Sequence, residues 1–145
     1  MLILIAGPYR SGTEDDPEKM AANLRRLERA SWPLFAAGHA PMIGEWAALP
    51  VWRAAGGERA GDPLYERVFH PIAHRLLERC DAVLRLPGAS KGADDDVRFA
   101  REREMPVNFN LLQPSRSAGM RGHGGDLASV EASVARARLP NRRSS

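Results

Sequence analysis

Five apolar residues in an unbroken row, Leu2-Ile3-Leu4-Ile5-Ala6, followed at once by Gly7-Pro8, constrain the fold of this chain more than any other feature. Successive strand side chains point to opposite faces, so a strand with no polar alternation must be covered on both faces. That is the position of an inner strand in a parallel sheet with helices on each side. The run is too short for a buried helix, and Gly-Pro ends it.

Three more strands are expected downstream, each after a helical segment. Asp16-Pro17-Glu18 has the N-cap, first-turn proline and first-turn acid of a helix start. The helix runs to about Ala37 on Met20, Leu24, Leu27, Ala30, Leu34 and Phe35, and Gly38 ends it. His39–Ile43 reads as a short second strand, and 44–61 as a short helix and a loop. Pro63–Arg79 reads as a helix capped by Asp62, with Leu64, Val68, Ile72, Leu76 and Leu77 on one side and a kink or restart at Pro71. Ala82–Leu86 is the third strand, Gly92–Glu104 a helix and Pro106–Phe109 the fourth strand. The alternation predicts an α/β fold: an open parallel sheet of four to five strands between helices, flavodoxin-like or Rossmann-like in three layers. Ligands of such sheets bind beyond the carboxyl ends of the strands.

The 145 residues suit one domain, here placed at 1–112. Residues 113–145 are expected to be a disordered appendage, with a weak helical pattern over 126–138. The net charge of +3 belongs to that tail. Beyond Gln113 it holds six arginines against Asp126 and Glu131, so the remainder is close to neutral. A solvated extension is the expected reading of this charge, and a contact with nucleic acid or a neighbouring subunit is the alternative. No apolar run reaches 18 residues, so no membrane helix is expected. The lack of a basic segment before the apolar start and the single cysteine, Cys80, suggest the cytoplasm.

Two segments carry candidate chemistry. Ala6-Gly7-Pro8-Tyr9-Arg10-Ser11-Gly12-Thr13 joins the first strand to the first helix, and its glycines, free N–H groups and Arg10 suit a phosphate. A plain strand–helix turn is the rival reading. Ser90-Lys91-Gly92-Ala93-Asp94-Asp95-Asp96 opens the helix after the third strand, where carboxylates also simply complement the helix dipole. Asp96, one turn in, is the candidate to face a cleft, whereas Asp94 and Asp95 are expected in solvent. Asp81 precedes the third strand, where an acid commonly caps the strand entrance. Glu45-Trp46 follows the second strand, and Trp46 suits packing or base stacking. His70 and His74 lie four apart but lack a third metal ligand, and Cys80 reads as a buried thiol.

Together, Ile5–Arg10, Cys80-Asp81-Ala82-Val83-Leu84 and Ser90-x-Gly92-Ala93-x-x-Asp96 resemble the nucleoside 2-deoxyribosyltransferase superfamily over roughly residues 1–110. The resemblance implies a carboxylate that attacks C1′ of a sugar and displaces the base, with water or a second base as acceptor. By motif position, Asp96 matches the nucleophile, Tyr9 its orienting tyrosine and Asp81 an acid near the base. Arg10 and Ser90 match phosphate-contacting positions of relatives that hydrolyse deoxynucleoside 5′-monophosphates, and Gly7, Pro8, Gly92 and Glu45 complete the expected binding set. No metal or organic cofactor is implied, and a homo-oligomer is. A non-catalytic nucleotide-binding module is the alternative. The chain departs from the family twice. Asp96 stands where the family has Glu, one methylene longer. Glu104 stands where a glycine would cap the helix, and is expected to be strained there.

Overall fold

The computed structural model describes residues 1–109, and the expectations for the tail beyond them lie outside the described residues. The element order is β1 (Leu2–Ala6), α1 (Pro17–Ala36), β2 (Ala40–Ile43), α2 (Gly44–Ala54), α3 (Pro63–Leu77), β3 (Ala82–Arg85), α4 (Lys91–Glu102) and β4 (Val107–Asn108). The four strands form one parallel sheet in the order β2-β1-β3-β4. Ile5 pairs with both Ile43 and Leu84, so the carboxyl ends of β2, β1 and β3 finish at one level.

The unbroken apolar run of β1 is explained by the two cores it divides. Ile3 and Ile5, with Ile43, Ala82 and Leu84, pack under Leu27, Ala30 and Leu34 of α1. Leu4 and Ala6, with Val83, pack under Leu77 of α3 and Ala93 and Ala100 of α4. Fully burying one such aliphatic side chain is worth about 1.5–3 kcal/mol. The chain leaves β1 towards β2 over one face and reaches β3 over the other, so β1 and β3 flank the point where the order reverses. A crevice opens there beyond the strand ends.

Caps set the helices as the sequence suggests. Asp16 Oδ1 accepts from the backbone N–H of Glu18 and Lys19, with Pro17 as the first helical residue. Asp62 Oδ1 accepts from Tyr65 N–H at 2.6 Å; α4 starts one residue earlier than expected, at Lys91, because the buried Ser90, not singled out as a cap in the sequence, caps it. Of the kink or restart expected at Pro71, the restart does not occur: α3 is helical from Pro63 to Leu77. A proline removes one ladder hydrogen bond, and burial of Tyr65 and Leu77 on either side of it holds the helix together. Glu104 has φ +57, the strained left-handed cap expected of it.

Gly7 is required by packing. A Cβ there would lie 2.8 Å from Leu27 Cδ2 and 3.2 Å from Leu86 Cβ, so the β1–α1 loop is drawn tight against α1 and the end of β3. Among the described residues no helix is long and apolar enough to cross a membrane.

Candidate functional site

A cavity of about 600 Å³ lies beyond the carboxyl ends of β1, β2 and β3, inside the range of about 300–1,000 Å³ usual for small-molecule sites. The β1–α1 loop supplies Gly7, Tyr9 and Arg10. The start of α2 supplies Gly44 and Glu45, and α4 supplies Ser90, Gly92 and Asp96. Seven of the nine candidate residues therefore meet around one space.

The other two do not. Pro8 is buried and turned to the opposite side of its loop, where it lines a separate groove. Asp81 sits at the amino end of β3, where its Oδ2 accepts from Leu2 N–H at 2.6 Å and its own N–H donates to the Leu2 carbonyl. That is about 13 Å, four strand residues of about 3.3 Å each, below the level of Ala6 and Arg85 in the register. Asp81 is a strand-entrance cap, and no base-side role in this cavity is open to it.

Two carboxyl groups inside the cavity are perturbed by burial. Glu45 opens α2 directly after β2, and the surrounding protein pushes its carboxyl up to about 7, with the charge of Asp96 adding to the rise. Asp96 is pushed up to about 6, again chiefly by burial. The charge of Asp95 adds to that rise, while His70 and Arg85 oppose it. Burial and the charge of Glu45 also raise the Tyr9 phenol. Both carboxyls are thus held well above the usual carboxylate range, towards neutral pH, where such groups serve as acids, bases or nucleophiles.

Arg10 is not an open phosphate clamp. Its guanidinium grips Asp15 in fork geometry, at 2.5 Å from Nε and 3.1 Å from Nη2, and its Nη1 lies 3.6 Å from Glu66. Asp15 and the preceding Glu14 both have left-handed backbone, φ +61 and +54, and both line the cavity. Strain of this kind in ordinary L-residues persists only where the surroundings enforce it; here the Arg10 fork holds Asp15.

Sequence reasoning missed the wall opposite α4. Tyr65, Phe69 and Ala73 of α3 recur every four residues and face the cavity. The rings of Tyr65 and Phe69 stack at 3.8 Å between centroids, and Tyr9 continues the stack at 6.2 Å from Phe69. Arg10 lies over the Tyr65 ring, which leans edge-on against Trp52. Tyr65 is thereby enclosed by Phe69, Arg10 and Trp52, and the stack supports the Tyr9 and Phe69 side chains that line the cavity with the two carboxyl groups. The four-residue spacing was visible in the sequence but competed with the aliphatic stripe of the same helix. His70 Nε2 pairs with Glu66 at 2.8 Å and His74 stacks on Phe99, so the two histidines serve different neighbours.

Arg85 was also missed. It is buried in β3 and bonds to the carbonyls of Leu86 and Gly88 and to Asp94 Oδ1 at 2.7 Å. Asp94 is exposed, as expected, and also anchors this cation, whereas Asp95, likewise expected in solvent, is half-buried. Asp95 pairs with Arg98 at 2.9 Å. The Arg85–Asp94 bridge ties the loop at Gly88 to the first turn of α4, the turn that presents Gly92 and Asp96.

Among the described residues no group of three or more His, Cys, Asp or Glu side chains could hold a metal ion. Comparison of the chain with protein-family models, with curated proteins and with solved structures found no match.

Proposed function

We propose that this cavity cleaves or transfers at the N-glycosidic bond of a deoxyribonucleoside or its 5′-monophosphate, as the resemblance to the nucleoside 2-deoxyribosyltransferase superfamily implies. The observation that carries the reading is the pair of desolvated carboxyls, Asp96 and Glu45, in one cavity at the reversal point of the sheet. Asp96 is the nucleophile. Its carboxylate forms a bond to C1′ as the bond from C1′ to the base breaks, and the departing nitrogen keeps the electron pair. Glu45 protonates the leaving base, a role added to the binding one expected of it. Water or a second base then attacks C1′ of the sugar ester, giving its proton to Glu45 and releasing Asp96. The Tyr9 hydroxyl orients the Asp96 carboxylate, and the aromatic side chains of Tyr9 and Phe69 that line the cavity contact the planar base.

The shorter reach of Asp96 is met by the backbone at Gly92. The two residues are four apart on α4 and so lie on one face, and a Cβ at Gly92 would meet nothing within 4 Å. The open space lets a sugar approach the helix more closely and brings C1′ to the shorter side chain.

The same reading makes the protein a cytoplasmic homo-oligomer that needs neither metal nor organic cofactor. Incubation with deoxynucleosides and deoxynucleoside 5′-monophosphates, with and without a second base, tests it by release or exchange of the free base. Release by the wild type that is absent in Asp96→Ala supports the proposal. Binding without any release favours a nucleotide-sensing module instead, and absence of both overturns the site.

A further inference from the structure

Asp96 and Glu45 share one cavity, and the charge of the first to ionise opposes ionisation of the second. Among the described residues neither carboxyl is in a salt bridge. The charge that tells them apart comes from β3, from a residue outside the cavity lining. Arg85 ends that strand beside Ala6, which does line the cavity. Its side chain is buried, and its guanidinium donates to the carbonyls of Leu86 and Gly88 and to Asp94 Oδ1 at 2.7 Å.

The compensation of this cation is lopsided. The two carbonyls bring no net charge, and Asp94 is exposed, so water screens the anion far more than it screens the buried guanidinium. Asp96 stands two residues beyond Asp94 on α4, and the Arg85 charge opposes the rise that burial imposes on its carboxyl. No cation offsets the rise of Glu45, which burial and the charge of Asp96 drive. The other polar groups around Asp96 are Asp95 on its own helix, His70 and Glu66 on α3, Glu45 on α2, and Tyr9 and Arg10 on the β1–α1 loop. Arg10 is engaged by Asp15 and Glu66, His70 pairs with Glu66, and Lys91 at the start of α4 is exposed. Of these cations Arg85 alone is both buried and permanently charged.

We propose that Arg85 is a positioning residue: a buried countercharge, fixed by Asp94, that assigns the negative charge of the shared cavity to Asp96 and leaves the proton with Glu45. Its meaning for catalysis rests on the glycosidic reading above, in which Asp96 attacks C1′ as an anion while Glu45 protonates the leaving base. Arg85 itself acts through Asp96 and α4, and touches no reacting atom.

Carbon-13 titration of the side-chain carboxyls in the free protein tests this without substrate, the two signals being assigned from Asp96→Asn and Glu45→Gln. Asp96 is expected to titrate below Glu45 in the wild type. Arg85→Met should raise the Asp96 titration by about one pH unit, the low end for loss of a nearby opposite charge, and so abolish the order. Arg85→Gln, which keeps donors for the two carbonyls, should do the same if Met is not tolerated, and Arg85→Lys should restore most of the order. Asp94→Asn should move Asp96 downwards, because it removes a neighbouring anion and leaves Arg85 uncompensated. In base-release assays the acid limb of the pH profile should rise with Arg85→Met by the same amount as the Asp96 titration. An unchanged circular dichroism spectrum checks the fold of each variant.

A tether without an electrostatic role predicts otherwise: loss of Arg85 or of Asp94 would loosen α4, expose Asp96 and lower its titration in both cases. An Asp96 titration that stays or falls when Arg85 is neutralised overturns the proposal. So does a Glu45 titration that rises as far as that of Asp96, or a wild-type Asp96 that titrates above Glu45. Base release whose acid limb stays in place with Arg85→Met overturns the role in catalysis. Titrations that move as expected in a protein that releases no base uphold the countercharge and remove the glycosidic reading.

Discussion

Asp81 and Asp96 carry the same carboxyl group to opposite ends of one parallel sheet, and the two ends use it differently. At the amino end, Asp81 is exposed and bonds to the first strand through Leu2, stitching β3 to β1. At the carboxyl end, Asp96 is drawn into a cavity where burial holds its carboxyl up to about 6. Strain follows the same division. Glu104, at the α4–β4 turn on the amino side, is a left-handed residue exposed to solvent, while the left-handed Glu14 and Asp15 line the cavity. In this fold one end of the sheet closes the structure and the other stores unfavourable electrostatics and backbone strain, as functional sites commonly do.

The sharpest way to break this contrast is to neutralise each aspartate in turn. Asp96→Asn should lower base release by at least about 1,000-fold, the scale of losing a covalent nucleophile, with the fold intact. Asp81→Asn should leave base release within about two-fold of wild type and lower stability by about 1 kcal/mol, one charge-assisted surface hydrogen bond. Single-turnover assays and urea denaturation read the two effects. Equal loss of activity in both variants would erase the distinction between the two ends.

Glu45→Gln comes next in size, with an expected rate loss of about 100-fold. Activity should need Asp96 ionised and Glu45 protonated, so the wild-type profile peaks between about pH 6 and about 7, and Glu45→Gln should lose the alkaline limb. Stability provides an independent reading. Both carboxyls hold their protons more tightly folded than unfolded, so the native state binds more protons between about pH 4 and about 7. Stability contributed by these groups therefore falls as pH rises through that window. Glu45→Gln removes much of the fall and should stabilise the protein at pH 8 by about 1–3 kcal/mol.

Gly92→Ala separates function from stability within a single helix. Alanine favours the helix by up to about 1 kcal/mol, and its Cβ meets no atom within 4 Å, so melting temperature should rise. The same methyl group stands where a sugar approaches Asp96, and kcat/KM should fall about 10-fold, the scale of a small displacement from reacting geometry. The smallest effect is expected of Glu104→Gly at the closed end: relief of the left-handed cap should stabilise the chain by up to about 1 kcal/mol with unchanged turnover.

Much of this was legible in the chain itself because it is encoded locally. The run from Leu2 to Ala6, the caps at Asp16 and Asp62, and the strain at Glu104 depend on residues within a few positions of each other, and the structure bears each of them out. The meeting of Tyr9, Glu45 and Asp96 was legible one step further on, because parallel topology sends every strand–helix loop to the same end of the sheet. At Pro71 no restart occurs, since packing on either side carries α3 through the proline.

What the amino-acid order determined alone was the β-α alternation, the helix starts and the end of the sheet on which chemistry belongs. Tertiary structure decided which charges meet. Arg10 is drawn to Asp15 and Glu66 and so lost as a clamp, Asp94 is called in to hold Arg85, and Tyr65 and Phe69 of α3 form a wall that pattern alone assigns to no site. Backbone preferences act over one turn of chain and are written in sequence. Coulomb attraction and desolvation act through space, and become definite only when residues as far apart as 10 and 66 are brought within 4 Å.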